Sequence, residues 1–235
     1  MKYFFFIFFL LFSLTGCKSD LVEVTLKTKD IKAAISGEIV MVEFETTFNL
    51  LAEYDEETKT EIDKMRAVAE KYFALEEFEV VKQDFGIDIE IEGEIPLVYM
   101  KDASAESLET SPWIIKIRNF NHPGSLKSYP YILSLATTSN FQSFVNLMED
   151  INILVSPEKF QPVKFKLRPS GEDKLQIFTG GVIIDGSSFI VKEMEVSEKI
   201  NLTMKEGSYE SNFFEDNSNT IFWKIPNIIG ITKKK

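Results

Sequence analysis

Residues 85–99 read FGIDIEIEGEIPLVY, and the way they alternate decides the fold. Ile87, Ile89, Ile91, Ile95, Leu97 and Tyr99 share one parity, while Asp88, Glu90, Glu92 and Glu94 share the other. Side chains of a strand point to opposite faces in turn, so the run predicts a long strand with one apolar and one acidic face. Upstream, Ile62, Met65, Ala69, Tyr72, Phe73 and Leu75 recur at spacings of three and four. That period predicts a helix over about 55–80 with one buried face, opened by Asp55, Glu56 and Glu57, whose charges suit a helix N-terminus.

Further out, period two returns. Leu21–Thr28 puts Val22, Val24 and Leu26 on one face, and Glu38–Leu51 carries Val42, Phe44 and Phe48. Trp113–Phe120, Tyr129–Thr137 and Val163–Leu167 read as strands, and Asn140–Ile151 as a short helix through Phe141, Phe144, Val145 and Met148. Leu175–Met204 holds three alternating pieces, with Gly180-Gly181 and Asp185-Gly186-Ser187 as the expected turns. A last apolar stretch, Ile221–Ile231, is expected to be a terminal edge strand ahead of three lysines. Strands dominate without strict strand–helix alternation. The fold class expected is α+β, a largely antiparallel sheet packed on one long helix (about 55–80) and one short helix (about 140–151).

The chain has 235 residues, one Cys, one His and a net charge of -11. This length supports one body, expected over 21–235, without metal or disulfide staples. A lone Cys17 excludes an internal disulfide and any multi-thiolate metal site. The acidity and the scarcity of arginine (Arg66, Arg118 and Arg168) argue against a nucleic-acid partner. The charge is uneven: residues 18–110 hold 24 acids and 10 bases, whereas 111–235 hold 13 acids and 15 bases. A boundary near 102–111 would give two lobes, and a single body with one acidic side explains the asymmetry equally well.

Residues 1–17 read MKYFFFIFFLLFSLTGC. Lys2 precedes an apolar run of about 12 residues, too short for a bilayer core that needs about 20, and apt for the apolar region of a secretory signal. An ordinary signal peptide or an uncleaved anchor would leave the Cys17 thiol exposed to oxidation. The order of charge, apolar run and Leu14-Thr15-Gly16-Cys17 resembles the signal and lipobox of bacterial lipoproteins. The resemblance covers these 17 residues alone; the mature domain resembles no recognised family. It implies removal of residues 1–16, lipidation of Cys17 by a diacylglyceryl group, and often acylation of its new amine with a palmitate-like chain. Two or more chains anchor a protein stably where one is marginal. Residues 17–20 would then be the lipidated cysteine and a short tether, attached to the membrane in the cell envelope. Lys18 in the sorting position implies the outer membrane, facing the periplasm, if the cell is Gram-negative.

No catalytic or metal constellation stands out. Asp88-Ile89-Glu90-Ile91-Glu92-Gly93 superficially matches a calcium loop, but Tyr99 stands where that loop needs its glutamate. Ser156-Pro157-Glu158-Lys159 matches the Ser-x-x-Lys pattern of penicillin-recognising enzymes without its companion motifs, and describes a helix or turn start as well. His122 lies in the turn-like Asn121-His122-Pro123-Gly124, and Gly180-Gly181 lacks any phosphate-binding context. Asn201-Leu202-Thr203 is formally a glycosylation sequon. The expectation is therefore a non-enzymatic, lipid-anchored envelope protein without cofactor, interacting with another envelope protein. The alternative is a carrier of an apolar ligand such as a lipid, held between curved strands and the long helix.

Overall fold

A computed structural model describes residues 19–100, 111–119, 130–153, 155, 157, 163–171, 175–204 and 229–233. The signal, Cys17, His122, residues 156 and 158–162, and the stretch 205–228 lie outside them.

The long alternating run forms β4 (Gly86–Met100), with Ile87, Ile89, Ile91, Ile95 and Leu97 buried. It is flanked by β2 (Val40–Leu50) from Ile87 to Leu97 and by β3 (Ala74–Gln83) from Gly86 to Glu94, both antiparallel. Its last residues pair instead with β5 (Trp113–Asn119), in parallel. β1 (Ser19–Lys27) joins β2 antiparallel and β7 (Val163–Arg168) in parallel. The remaining strands, β6 (Tyr131–Thr137), β8 (Leu175–Ile184), β9 (Ser187–Val196), β10 (Ile200–Met204) and β11 (Ile229–Lys233), pair antiparallel. Among the described residues one mixed sheet of 11 strands results, in the order β10-β7-β1-β2-β4-β5-β6-β11-β8-β9, with β3 beside β4.

That sheet curls because of β8. β9 covers one edge of β8 from Leu175 to Ile184. The other edge is shared, with β11 opposite Leu175–Thr179 and β10 opposite Val182–Ile184. Val196 lies opposite Leu175, yet the chain re-enters the sheet at Ile200, beyond the far end of β8. Four peptide links span at most about 14 Å. A straight ten-residue strand measures about 33 Å, so β8 must bend. Gly180 and Gly181, which have no Cβ, sit between its two halves. The expected turn at this pair is thus a strand interior, and only Asp185-Gly186 turns, both at positive φ. The final stretch is likewise corrected: β11 is inserted between β6 and β8 and is no edge.

Among the described residues three helices accompany the sheet. The first, α1 (Thr28–Ile35), buries Ile31 and Ala34 and rests on β1, β2 and β4; the sequence reading missed it. The second, α2 (Glu56–Tyr72), is capped by Asp55, whose carboxylate accepts from the Thr58 N–H at 2.9 Å. Its buried stripe is Thr58, Ile62, Met65, Val68, Ala69 and Tyr72. The expected helix to about 80 is too long: Phe73 is extended and the chain continues directly into β3. Nine residue pairs with β4 and a hairpin at Gly86, φ 120°, override the helical spacing that Leu75 happens to continue. The third, α3 (Phe141–Ile151), packs against α2. Among the described residues the sheet thus carries the expected long helix, cut short at Tyr72, the expected short helix, and α1 in addition.

One core cluster reaches from Val22 in β1 to Leu202 in β10. At its centre Phe73 stacks on Trp113, with centroids 5.7 Å apart, and meets Phe44 at 4.6 Å and the edge of Phe144 at 5.5 Å. Arg66 of α2 lies over the Phe78 ring of β3 at 4.7 Å, which holds the helix against the apolar side of the sheet.

Candidate functional site

The polar parity of β4 meets its counterparts from the neighbouring strands. Glu92 stands opposite Glu45 of β2 and Glu77 of β3, and Glu45 stands opposite Glu23 of β1. Glu23 in turn stands opposite Lys164 of β7. One transverse row therefore runs Lys164, Glu23, Glu45, Glu92, Glu77, from five strands. Directly opposed side chains lie about 5 Å apart at Cβ, where like charges destabilise the sheet.

Among the described residues, lysines neutralise one end of this row. Lys164 reaches Glu23 at 2.8 Å, and Lys166 bridges Glu23 at 2.6 Å and Glu45 at 3.0 Å. Burial pushes the Glu23 carboxyl up, but the two lysine hydrogen bonds outweigh it and hold the group below the ordinary range. Burial also disfavours charge on Lys166; its bonds to Glu23 and Glu45 prevail and raise it. Among the described residues no ion pair reaches Glu92. Desolvation, then repulsion from Glu45, Glu77, Glu76 and Glu90, raises its carboxyl. A cleft of about 150 Å³ opens here, lined by Glu23, Glu43, Glu45, Glu76, Glu92 and Lys166. Lys27 forms a separate pair with Glu43 at 2.7 Å, which raises the lysine.

Gly93 of β4 also lines this cleft. At Gly93 an added Cβ would lie 2.6 Å from the Ala74 carbonyl oxygen, so β3 crosses β4 too closely for any side chain. β3 also shifts register between Leu75 and Glu77 beside this glycine. The residues that suggested a calcium loop are thus a strand. Asp88 accepts from Asn49 and Gln83, each at 2.7 Å, and Gly93 admits the neighbouring strand. Among the described residues no group of three or more His, Cys, Asp or Glu is arranged to hold a metal ion.

Asp88, Glu90, Glu92 and Glu94 fall on one face as their spacing predicts. Glu23, Glu45, Glu77, Lys164 and Lys166 were not foreseen as their neighbours. Alternation carried a signal for them: Glu43 and Glu45 flank Phe44, and Lys164 and Lys166 flank Phe165. Asn201 of the sequon donates to Asp185 at 3.1 Å and accepts from Arg168 at 3.2 Å. Cys17 with its lipobox, His122, and Ser156, Glu158 and Lys159 lie outside the described residues. Among the described residues no helix is long and apolar enough to cross a membrane.

Compared with known proteins, the chain matches no family model, no curated protein and no solved structure.

Proposed function

We propose that the protein is a non-catalytic lipoprotein of the bacterial envelope, anchored through Cys17, whose acidic sheet face receives a basic surface of another envelope protein. The carrying observation is the row of four glutamates on adjacent strands, which the described lysines neutralise at one end. Such a row costs folding stability, and breaches of local sequence rules concentrate at functional sites. Lysines or arginines of a partner would relieve the repulsion around Glu92 and Glu77. The rival reading, a carrier of an apolar ligand beside the long helix, has less support: Tyr72, Phe73, Trp113 and Phe144 fill that space with rings in contact.

Zero-length carbodiimide coupling in intact cells, which joins carboxylates to neighbouring amines, tests the interaction. A defined adduct should form and should weaken severalfold in the Glu45→Gln/Glu92→Gln variant. An adduct indifferent to those changes, or none at all, refutes the assignment of this face. Replacing Cys17 with Ala should release the protein from the membrane fraction; unchanged partition refutes the anchor.

A further inference from the structure

The end of the sheet at which β1 begins also carries Phe85 and Leu51, two of the large apolar side chains most open to solvent among the described residues. Ser19 pairs with Phe48, near the end of β2, and Leu50 pairs with Ile87, the second residue of β4. The hairpin from β3 to β4 closes there, between Gln83 and Gly86. Gly86 lies so close to Leu50 and Leu51 that an added Cβ would come within 2.6 Å of the Leu50 carbonyl oxygen. Leu51, Tyr54 and Phe85 crowd this tip and stay open to solvent, with exposures of 63%, 38% and 88%. Lys82 and Lys59 approach the Tyr54 ring at 4.1 and 5.3 Å. An apolar tip with tyrosine and lysine at its margin has the composition of a membrane interface, where rings sit at headgroup level and lysine stems reach back to water.

We propose that this tip seats in the interfacial layer of the bilayer leaflet that holds the Cys17 lipid. The inference rests on the anchoring reading, because only Lys18, two peptide links with a reach of about 7 Å, separates Cys17 from Ser19. Acyl chains on Cys17 would bring Phe85 and Leu51 to the membrane surface with no linker to keep them away. Glu53, Asp55 and Asp84 border the tip and keep it shallow, since carboxylates remain hydrated. The strands then rise from the membrane. The acidic face stands at the side of the body, open to a partner in the same membrane. Ile39 is just as exposed, at 62%, but precedes the opposite end of β2, about 33 Å of strand away.

Spin labels at Phe85→Cys and Ile39→Cys test this in the full-length lipidated protein, purified from bacterial membranes and reconstituted into phosphatidylcholine vesicles. An acylated Cys17 carries no free thiol, so each variant takes one label. The label at 85 should collide with oxygen in preference to a water-soluble nickel chelate severalfold more than the label at 39. Equal aqueous access at both sites, with Cys17 acylated, overturns the tip proposal and leaves the anchor intact. A label at 85 shielded from both reagents overturns it in favour of a protein contact. A free Cys17 thiol in protein that stays out of the vesicles overturns the anchoring reading and removes the premise of the tip.

Discussion

Glu92 sits between Glu45 on one side and Glu77 on the other, and no cation among the described residues pairs with it. Its carboxyl titrates above an unfolded glutamate, so the folded chain holds an extra proton between the two values. Stability from this group is therefore greatest in acid and falls as pH rises through the raised value. Glu23 has the opposite sign: its lowered carboxyl contributes stability above the unfolded value and loses it as pH falls through the folded one. Glu92→Gln should raise stability at pH 7 by about 0.5 kcal/mol, the scale of one relieved like-charge pair. The gain should shrink as pH falls through about 4.3, the ordinary glutamate value, and vanish near pH 3, where the group is neutral in either state. Thermal melts of both proteins across pH 3–8 check this; a constant offset would mean that packing, and not charge, separates them. At this scale the sequence was informative about one strand at a time. The carboxylates of β4 were legible from their parity, but their opposition to Glu45 and Glu77 depends on register, which no local pattern encodes.

The junction of α2 and β3 shows why an element's type was easier to read than its end. Ile62, Met65, Ala69 and Tyr72 do form one buried stripe, and Phe73 and Leu75 prolong its spacing by coincidence. Phe73 leaves the helix because its ring belongs between Phe44, Trp113 and Phe144, which come from β2, β5 and α3. A tertiary cluster therefore overrides a local period. The strand that follows keeps only Phe78 fully buried, too weak an alternation to announce itself. α1 was missed for a related reason: eight residues with only Ile31 and Ala34 deeply buried beyond Thr28 give too short a signal. Phe73→Ala should cost about 3–5 kcal/mol, the usual range for a large ring removed from a packed core. Phe73→Leu, which keeps most of the volume, should cost less. Urea unfolding midpoints compare the three proteins, and near-equal values for Ala and wild type would mean that the cluster is not the keystone of this junction.

At the scale of the whole molecule, closure of the sheet is the property that no stretch of sequence announced. It depends on β8 presenting one edge to two strands far apart in the chain, β10 and β11. Twenty-four residues, 205–228, separate these two strands, yet Met204 lies opposite Val182 and Ile229 opposite Thr179 on the same edge. β11 thereby links β6 to β8, and with it absent those strands would face each other about 10 Å apart, each with an unpaired edge. Thr179 adds to the sensitivity of this seam. Among the described residues its buried hydroxyl has no hydrogen-bond partner, so a loosened seam would expose a polar group that the fold leaves unsatisfied there. A chain ending at residue 228 should therefore lose far more than five residues' worth of contacts. It should melt over a broader range than the full chain and self-associate through the two exposed edges as concentration rises. Calorimetry and sedimentation at several concentrations check both effects. A truncated chain that stays monomeric and unfolds in one transition as sharp as the parent's would mean that the core, shared by β1 to β10, holds the curled sheet together without β11 to complete it.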